Sequence, residues 1–362
     1  MIKTADQNDF KSSAQHNEEP ILSVRDLEVE FATYGGTVKA VRGVSFDLYP
    51  GEVLAIVGES GCGKSVTCQS LLGLIPCPPG KITKGSAKIS GKELIGMKPG
   101  QLEHVRGSDL GMIFQDPLSS LNPTMTVGRQ IGEVLIKHRK MSTAEARAES
   151  LSLMKLVQIP EAESRIDQFP HQFSGGMRQR VMIAIALACK PKVLIADEPT
   201  TALDVTIQGQ ILELLKNLQR EINMAVILIT HDLGVVASVA DRVAVMYAGE
   251  IVETGTVEDI FVHPAHPYSI GLQHAIPNPL RPDKRELHAI PGSPPDLFSP
   301  PEGCGFAARC PHAMEVCVSF SPPQFQVEAK FGAPKLARHS SCWLHHKATP
   351  ASLREVVLNA NQ

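Results

Sequence analysis

No run of apolar residues in this 362-residue chain approaches the ~20 needed to cross a bilayer. The longest candidates, around 181–188 and 225–229, fall far short. An excess of one charge is also missing. Thirty-five Lys and Arg against 38 Asp and Glu leave a formal net charge of −3, which argues against a protein whose main task is to grip nucleic-acid phosphates. The opening residues, MIKTADQNDFKSSAQHNEEP, lack a basic-then-apolar leader, so the expectation is a chain that stays inside the cell. Cys-x-x-Cys pairs, the usual mark of a zinc site, do not occur. The remaining composition, 43% hydrophobic and 20% charged, excludes a disordered chain, and the length suggests two or three domains.

Residues 1–19 read as a polar, disordered tail. From Ile21, alternating β-branched stretches interrupted at Gly35-Gly36 and Pro50-Gly51 predict a small antiparallel sheet. Four apolar runs follow: 53–58, 112–114, 193–196 and 226–230. Each is short and apolar throughout, as in strands covered on both faces, and helical segments separate them. A doubly wound α/β layer is the natural reading. Residues 126–190 form a helical insert, with Ser142-Thr143-Ala144-Glu145 in capping-box form. A domain boundary is placed near 260, because 261–362 holds 15 of the 27 prolines and 8 of the 13 histidines. So Pro-rich a segment is not expected to form another regular layer.

Gly58-Glu59-Ser60-Gly61-Cys62-Gly63-Lys64-Ser65 fits the P-loop pattern, after a buried strand and before a helix expected over 66–74. Its glycines let backbone N–H groups curl around phosphate oxygens, and the helix N-terminus, starting at Val66, adds partial positive charge. Lys64 would reach the β/γ-phosphates and Ser65 a Mg²⁺ ion. Asp197 and Glu198 end an apolar strand, where open α/β sheets bind ligands. Asp197 would hold the metal and Glu198 polarise the attacking water. Ser174-Gly175-Gly176 opens a long apolar helix as a second anion-binding nest, or else as a plain N-cap. Gln115 could orient a water, and His231 could contact a terminal phosphate.

In the order P-loop, Gln115, SGG, Asp197-Glu198, Ala202-Leu203-Asp204 and His231, the chain resembles the ATP-binding subunit of an ABC transporter over about 21–261. The resemblance implies a P-loop NTPase cassette with a RecA-like core, an antiparallel β subdomain and an inserted α-helical subdomain. Two cassettes would meet head to tail, each nucleotide lying between one P-loop and the partner's SGG segment. Asp204 would communicate across that dimer. Gln115 would join Ser65 and Asp197 near Mg²⁺. Tyr34 would stack on adenine, with Phe31 as the fallback. Phe173 and Met177 depart from the usual signature, yet the Ser hydroxyl and Gly amides remain. No heptad repeat long enough for a coiled-coil arm intervenes between Lys64 and Asp197, which counts against DNA-repair and chromosome-organising relatives. A single cassette disfavours the two-cassette ribosome-associated ones. Residues 115–123 and the helical insert would receive the coupling helices of membrane subunits.

Cys304, Cys310, Cys317 and Cys342 gather four soft thiols in 39 residues. With His263-Pro264-Ala265-His266-Pro267-Tyr268 and Pro291-Gly292-Ser293-Pro294-Pro295, they resemble the tail of dipeptide and oligopeptide importers. That tail implies a structural [4Fe–4S] cluster on the four cysteines; a zinc site drawing on His312, His339, His345 or His346 is the alternative. The reading is therefore an ATPase subunit of a bacterial peptide importer, peripheral on the cytoplasmic face of the inner membrane. Its expected partners are two permease subunits, a second and non-identical ATPase, and an external binding protein, with no nucleic acid. A nickel or other small-solute importer is the nearest alternative; a soluble ATPase acting on nucleic acid or ribosomes is the one from another class.

Overall fold

The computed structural model describes residues 19–201, 203–275, 290–329 and 338–358. The expected tail, save Glu19, and Ala202 lie outside the described residues. In chain order the strands are β1 (Leu22–Thr33), β2 (Gly36–Leu48), β3 (Val53–Val57), β4 (Gly80–Ile89), β5 (Lys92–Glu93), β6 (Leu110–Ile113), β7 (Val193–Asp197), β8 (Ala225–Thr230), β9 (Arg242–Tyr247), β10 (Glu250–Thr256), β11 (Phe325–Val327) and β12 (Arg338–Ser340).

The expected antiparallel sheet is present in the order β2-β1-β4-β5. The larger sheet runs β11-β12-β10-β9-β3-β8-β7-β6. Within it β9, β3, β8, β7 and β6 are parallel. Every residue of β3, β7 and β8 is buried, which is why these segments read as unbroken apolar runs rather than alternating ones. The strand expected over 112–114 is Leu110–Ile113, and the helix after the P-loop is Lys64–Leu71. Because β3, β8, β7 and β6 are parallel neighbours, their C-terminal ends open at one edge of the sheet. That edge is where the topology puts a ligand site.

Between the strands Leu110–Ile113 and Val193–Asp197 the chain is helical. The main helices there are Val127–Arg139, Thr143–Leu156 and Gly175–Leu187, packed through Ile131, Leu135, Met154 and Ile183. The capping box is made as expected: Ser142 Oγ accepts from Glu145 N at 3.3 Å, and the Glu145 carboxylate accepts from Ser142 N at 2.8 Å.

Beyond residue 250 the structure departs from the sequence reading. The boundary placed near 260 falls inside the helix Val257–Val262. The Pro-rich segment beyond it adds two strands to the core sheet. β12 pairs antiparallel with β10 (Glu253↔Ser340, Thr254↔His339), and β11 pairs with β12. Neither three-residue strand contains a proline, so the segment's prolines cost this ladder no N–H donor. The join is polar as well. The buried carboxylate of Glu253 accepts from Ala265 N at 2.7 Å, His266 N at 3.0 Å and Arg338 Nη2 at 3.1 Å.

Candidate functional site

A cavity of about 480 Å³ opens at the C-terminal edge of the parallel strands. Ser60, Gly61, Gly63, Lys64, Ser65, Val66, Gln115, Glu198 and His231 line it, with Ala40 as one wall. Nine residues singled out from sequence thus meet around one space, brought there by the turns after β3, β6, β7 and β8.

The P-loop is bent by close backbone approach. A Cβ on Gly58 would sit 2.1 Å from the Met246 carbonyl oxygen, and one on Gly63, at φ +103°, 2.4 Å from that of Ala40. Only glycine fits either place. Lys64 is buried and donates to the carbonyl oxygens of Gly58 at 2.8 Å and Glu59 at 3.0 Å, so the loop is closed around its own ammonium. Cys62 Sγ lies 3.9 Å from that ammonium; burial pushes its thiol up despite the Lys64 charge, which leaves it a protonated packing group.

Ser65 Oγ donates to Asp197 Oδ1 at 2.8 Å. Burial pushes the Asp197 carboxyl up, against the lowering effect of that hydroxyl. A buried carboxylate joined to a hydroxyl and lacking a full counter-charge fits a divalent cation, which would neutralise the one and be ligated by both. The Gln115 amide donates to Glu198 Oε2 at 2.9 Å. It lines the same cavity as Ser65 and Glu198, where it could orient a water as the sequence suggests.

Glu198 is held from three directions. Besides Gln115, the Thr201 hydroxyl donates to Oε2 at 2.9 Å and His231 Nδ1 lies 3.2 Å from Oε1. Its backbone is left-handed, φ +46°, a strained conformation for a non-glycine residue. Its N–H is tied to the Ile229 carbonyl at 2.9 Å. Thr201 escaped the sequence reading, although a hydroxyl three residues beyond the carboxylate was a usable signal.

Other expected residues lie outside this cavity. Tyr34 is fully exposed at the β1–β2 turn, while Phe31 packs into the core beneath the antiparallel sheet. Ser174 caps the helix Gly175–Leu187, its Oγ accepting from Met177 N at 3.4 Å. Gly175 and Gly176 form that helix's first turn, and a Cβ on Gly176 would meet Ile207 at 2.7 Å. Asp204 caps Val205–Ile222, accepting from Ile207 N at 3.0 Å. Glu59 also turns away. Its N–H donates to the Tyr268 hydroxyl at 2.9 Å, and its carboxylate takes two bonds from Arg309, at 2.7 and 3.0 Å.

Cys317 and Cys342 are buried, and Cys304 and Cys310 partly so. Every pair among the four is close enough to interact electrostatically. Burial pushes the Cys304 thiol up to about 11 and raises Cys310 and Cys342 too. Among the described residues, however, no group of three or more His, Cys, Asp and Glu is placed to hold a metal ion. Neither the four cysteines nor the zinc alternative with added histidines thus forms such a ligand set among the described residues.

Among the described residues no helix is long and apolar enough to cross a membrane. Residues 41–201 match the ABC transporter family model, and 252–317 match that of the oligopeptide/dipeptide transporter C-terminal region. The chain is 60% identical over 306 residues to the dipeptide transport ATP-binding protein DppD of Bacillus subtilis, covering 84% of this chain and 91% of that one. It is 56% identical over 330 residues to the oligopeptide transport ATP-binding protein OppD of the same organism (91% and 90% covered), and 53% identical over 309 to OppD of Escherichia coli (85% and 91%). Among solved structures, the ATP-binding cassette MJ0796, a dimer bound to ADP and Pi, superposes with a TM-score of 0.59 at 28% identity. That match covers 65% of this chain and 98% of that one. CbiO1 of Clostridium perfringens gives 0.58 at 30% identity, covering 71% and 96%. The cassette fold expected from the motifs is thereby established, and the chain belongs to the ABC transporter family, among the ATP-binding proteins of dipeptide and oligopeptide transporters.

Proposed function

We propose that this chain binds and hydrolyses ATP to drive import of di- or oligopeptides through two membrane-embedded permease subunits, fed by an external binding protein and paired with a second ATP-binding subunit. It would sit on the inner face of the cell membrane, with residues 115–123 and the helical insert receiving the permeases. One observation carries the nucleotide site: Ser65 and Asp197, 132 residues apart, are bonded at 2.8 Å beside Lys64 and Glu198. The peptide reading is supported by likeness to dipeptide and oligopeptide transport proteins along both the cassette and the tail.

In this reading Lys64 leaves its two carbonyl partners to meet the β/γ-phosphates, while the P-loop N–H groups of Ser60 to Ser65 cradle them. Ser65 and Asp197 would hold Mg²⁺, which supplies charge neutralisation when bound. Glu198 takes a proton from the attacking water; His231 and Gln115 fix its two oxygens so that one lone pair faces the phosphate side. Ser174, Gly175, Gly176 and Asp204, which do not line their own cavity, would complete the partner's site, and Tyr34 would cover adenine from the exposed turn. Glu198→Gln should bind ATP with near-normal affinity yet hydrolyse it about 10²–10⁴-fold more slowly. Near-normal turnover in the assembled transporter would remove Glu198 from the role of base.

The four extension cysteines are proposed to carry a [4Fe–4S] cluster. Four soft thiols within electrostatic reach of one another are the donor type such a group takes, each thiolate binding a different iron. Anaerobically purified protein should contain iron and absorb near ~400 nm, and Cys342→Ser should lose both. Zinc at one per chain with no iron would refute the assignment.

A further inference from the structure

The C-terminal extension reaches the nucleotide site at both ends. At the phosphate end, Arg309 makes two bonds to the P-loop Glu59 carboxylate, and the Tyr268 hydroxyl accepts the Glu59 N–H. At the adenine end, Lys39 N donates to the Leu297 carbonyl at 2.9 Å, and the Phe298 ring lies 3.6 Å from where a Cβ on Gly35 would be, beside Tyr34. The guanidinium is itself fixed. Its Nε donates to the Pro291 carbonyl at 2.9 Å, and Nη1 reaches the Tyr247 hydroxyl at 3.2 Å.

We propose that Arg309, acting through Glu59 and aided by Tyr268, is a positioning residue that holds the P-loop in its phosphate-binding shape. A P-loop binds phosphate through N–H groups that must all point inward, and a Gly-rich segment pays conformational entropy to hold them so. Gly58 and Gly61 flank Glu59-Ser60 and leave that segment little stiffness of its own. Lys64 closes the loop from inside but must release Gly58 and Glu59 when phosphate arrives. The Glu59 anchor, facing the other way, stays in place as ATP binds. Two parallel charge-assisted bonds from a buried arginine fix direction as well as distance, and the Tyr268 hydroxyl holds the Glu59 N–H from the same side. The extension is thus part of the nucleotide site's framework.

This inference rests on the ATP site proposed above, and binding of a fluorescent ATP analogue to the full-length chain separates the two. No binding by the unaltered chain would overturn the site itself. With the site intact, Glu59→Gln and Arg309→Gln should each weaken nucleotide binding about tenfold, the loss expected of one charge-assisted contact. The double variant should be no worse than either single one, since both remove the same link. In the assembled transporter the KM for ATP should rise with kcat within about twofold. Arg309→Lys, which cannot make the two-pronged contact, should recover only part of the loss. Unchanged affinity in Glu59→Gln, additive losses in the double variant, or a fall in kcat at constant KM would each overturn the proposal. Should Arg309→Gln fail to fold, Glu59→Gln, which leaves the arginine's other bonds intact, decides alone, with Tyr268→Phe expected to follow it.

Discussion

Glu198 and His266 show how position sets the chemistry of a side chain. Glu198 keeps a left-handed backbone because its N–H is bonded to Ile229, and three side chains converge on its carboxylate; such strain persists only where the surroundings over-determine it. His266 is buried and caps the helix Pro267–His274, Nδ1 accepting from Tyr268 N at 3.0 Å, a bond that only the neutral ring can make. Burial, and secondly the neighbouring His345, lower it from 6.5 to about 3. The unfolded chain takes up a proton near 6.5 and the folded one does not. Stability from this group is therefore full above about 6.5 and is lost as pH falls toward 3. Thermal midpoints should drop between pH 7.5 and pH 5, and His266→Asn, which can still cap, should flatten that slope. An unchanged slope would show that other groups set the acid sensitivity.

At the scale of strands and helices, the sequence was most readable where one element explains itself. β3, β7 and β8 were visible as apolar runs because both faces are covered, and Ser142 and Glu145 announced a helix start because both bonds of the box are local. The residues that line the cavity stood out for the same reason, since each motif sits on the turn that ends its strand. β9 and β10 carried a signal that the reading did not use: the apolar run 243–246, then a turn at Ala248-Gly249 with both residues at positive φ. The pairing of β12 with β10 was not legible, because three residues have no pattern of their own and the partner is 85 positions away. The same holds for Arg338 and Glu253, whose ion pair is buried on both sides. Arg338→Met should destabilise the protein by about 3–5 kcal/mol, because it takes their shared cation from the buried carboxylates of Glu253 and Asp259. Denaturant midpoints would check this; a change below about 1 kcal/mol would mean that the two N–H donors at Glu253 suffice on their own.

For the molecule as a whole, the tail and the cassette share a sheet, a buried ion pair and the Arg309–Glu59 contact. They should therefore unfold together. Trp343, the sole tryptophan, lies in the tail, with Nε1 donating to the Phe320 carbonyl at 2.9 Å, so its fluorescence reports on the tail while far-UV circular dichroism reports mainly on the cassette. The two melting curves should coincide. Separate transitions would show that the tail opens first. Glu59 and Arg309 are 250 residues apart, and neither belongs to a motif that names the other, which is why this level of organisation was hidden from sequence.

A ladder that runs unbroken from β11 to β6 leaves no seam along β10. Cutting or grafting the chain after that strand would strip a hydrogen-bonding edge bare and strand Glu253 without its cation. Chimaeras that exchange substrate systems between transporters should accordingly swap cassette and tail as one piece.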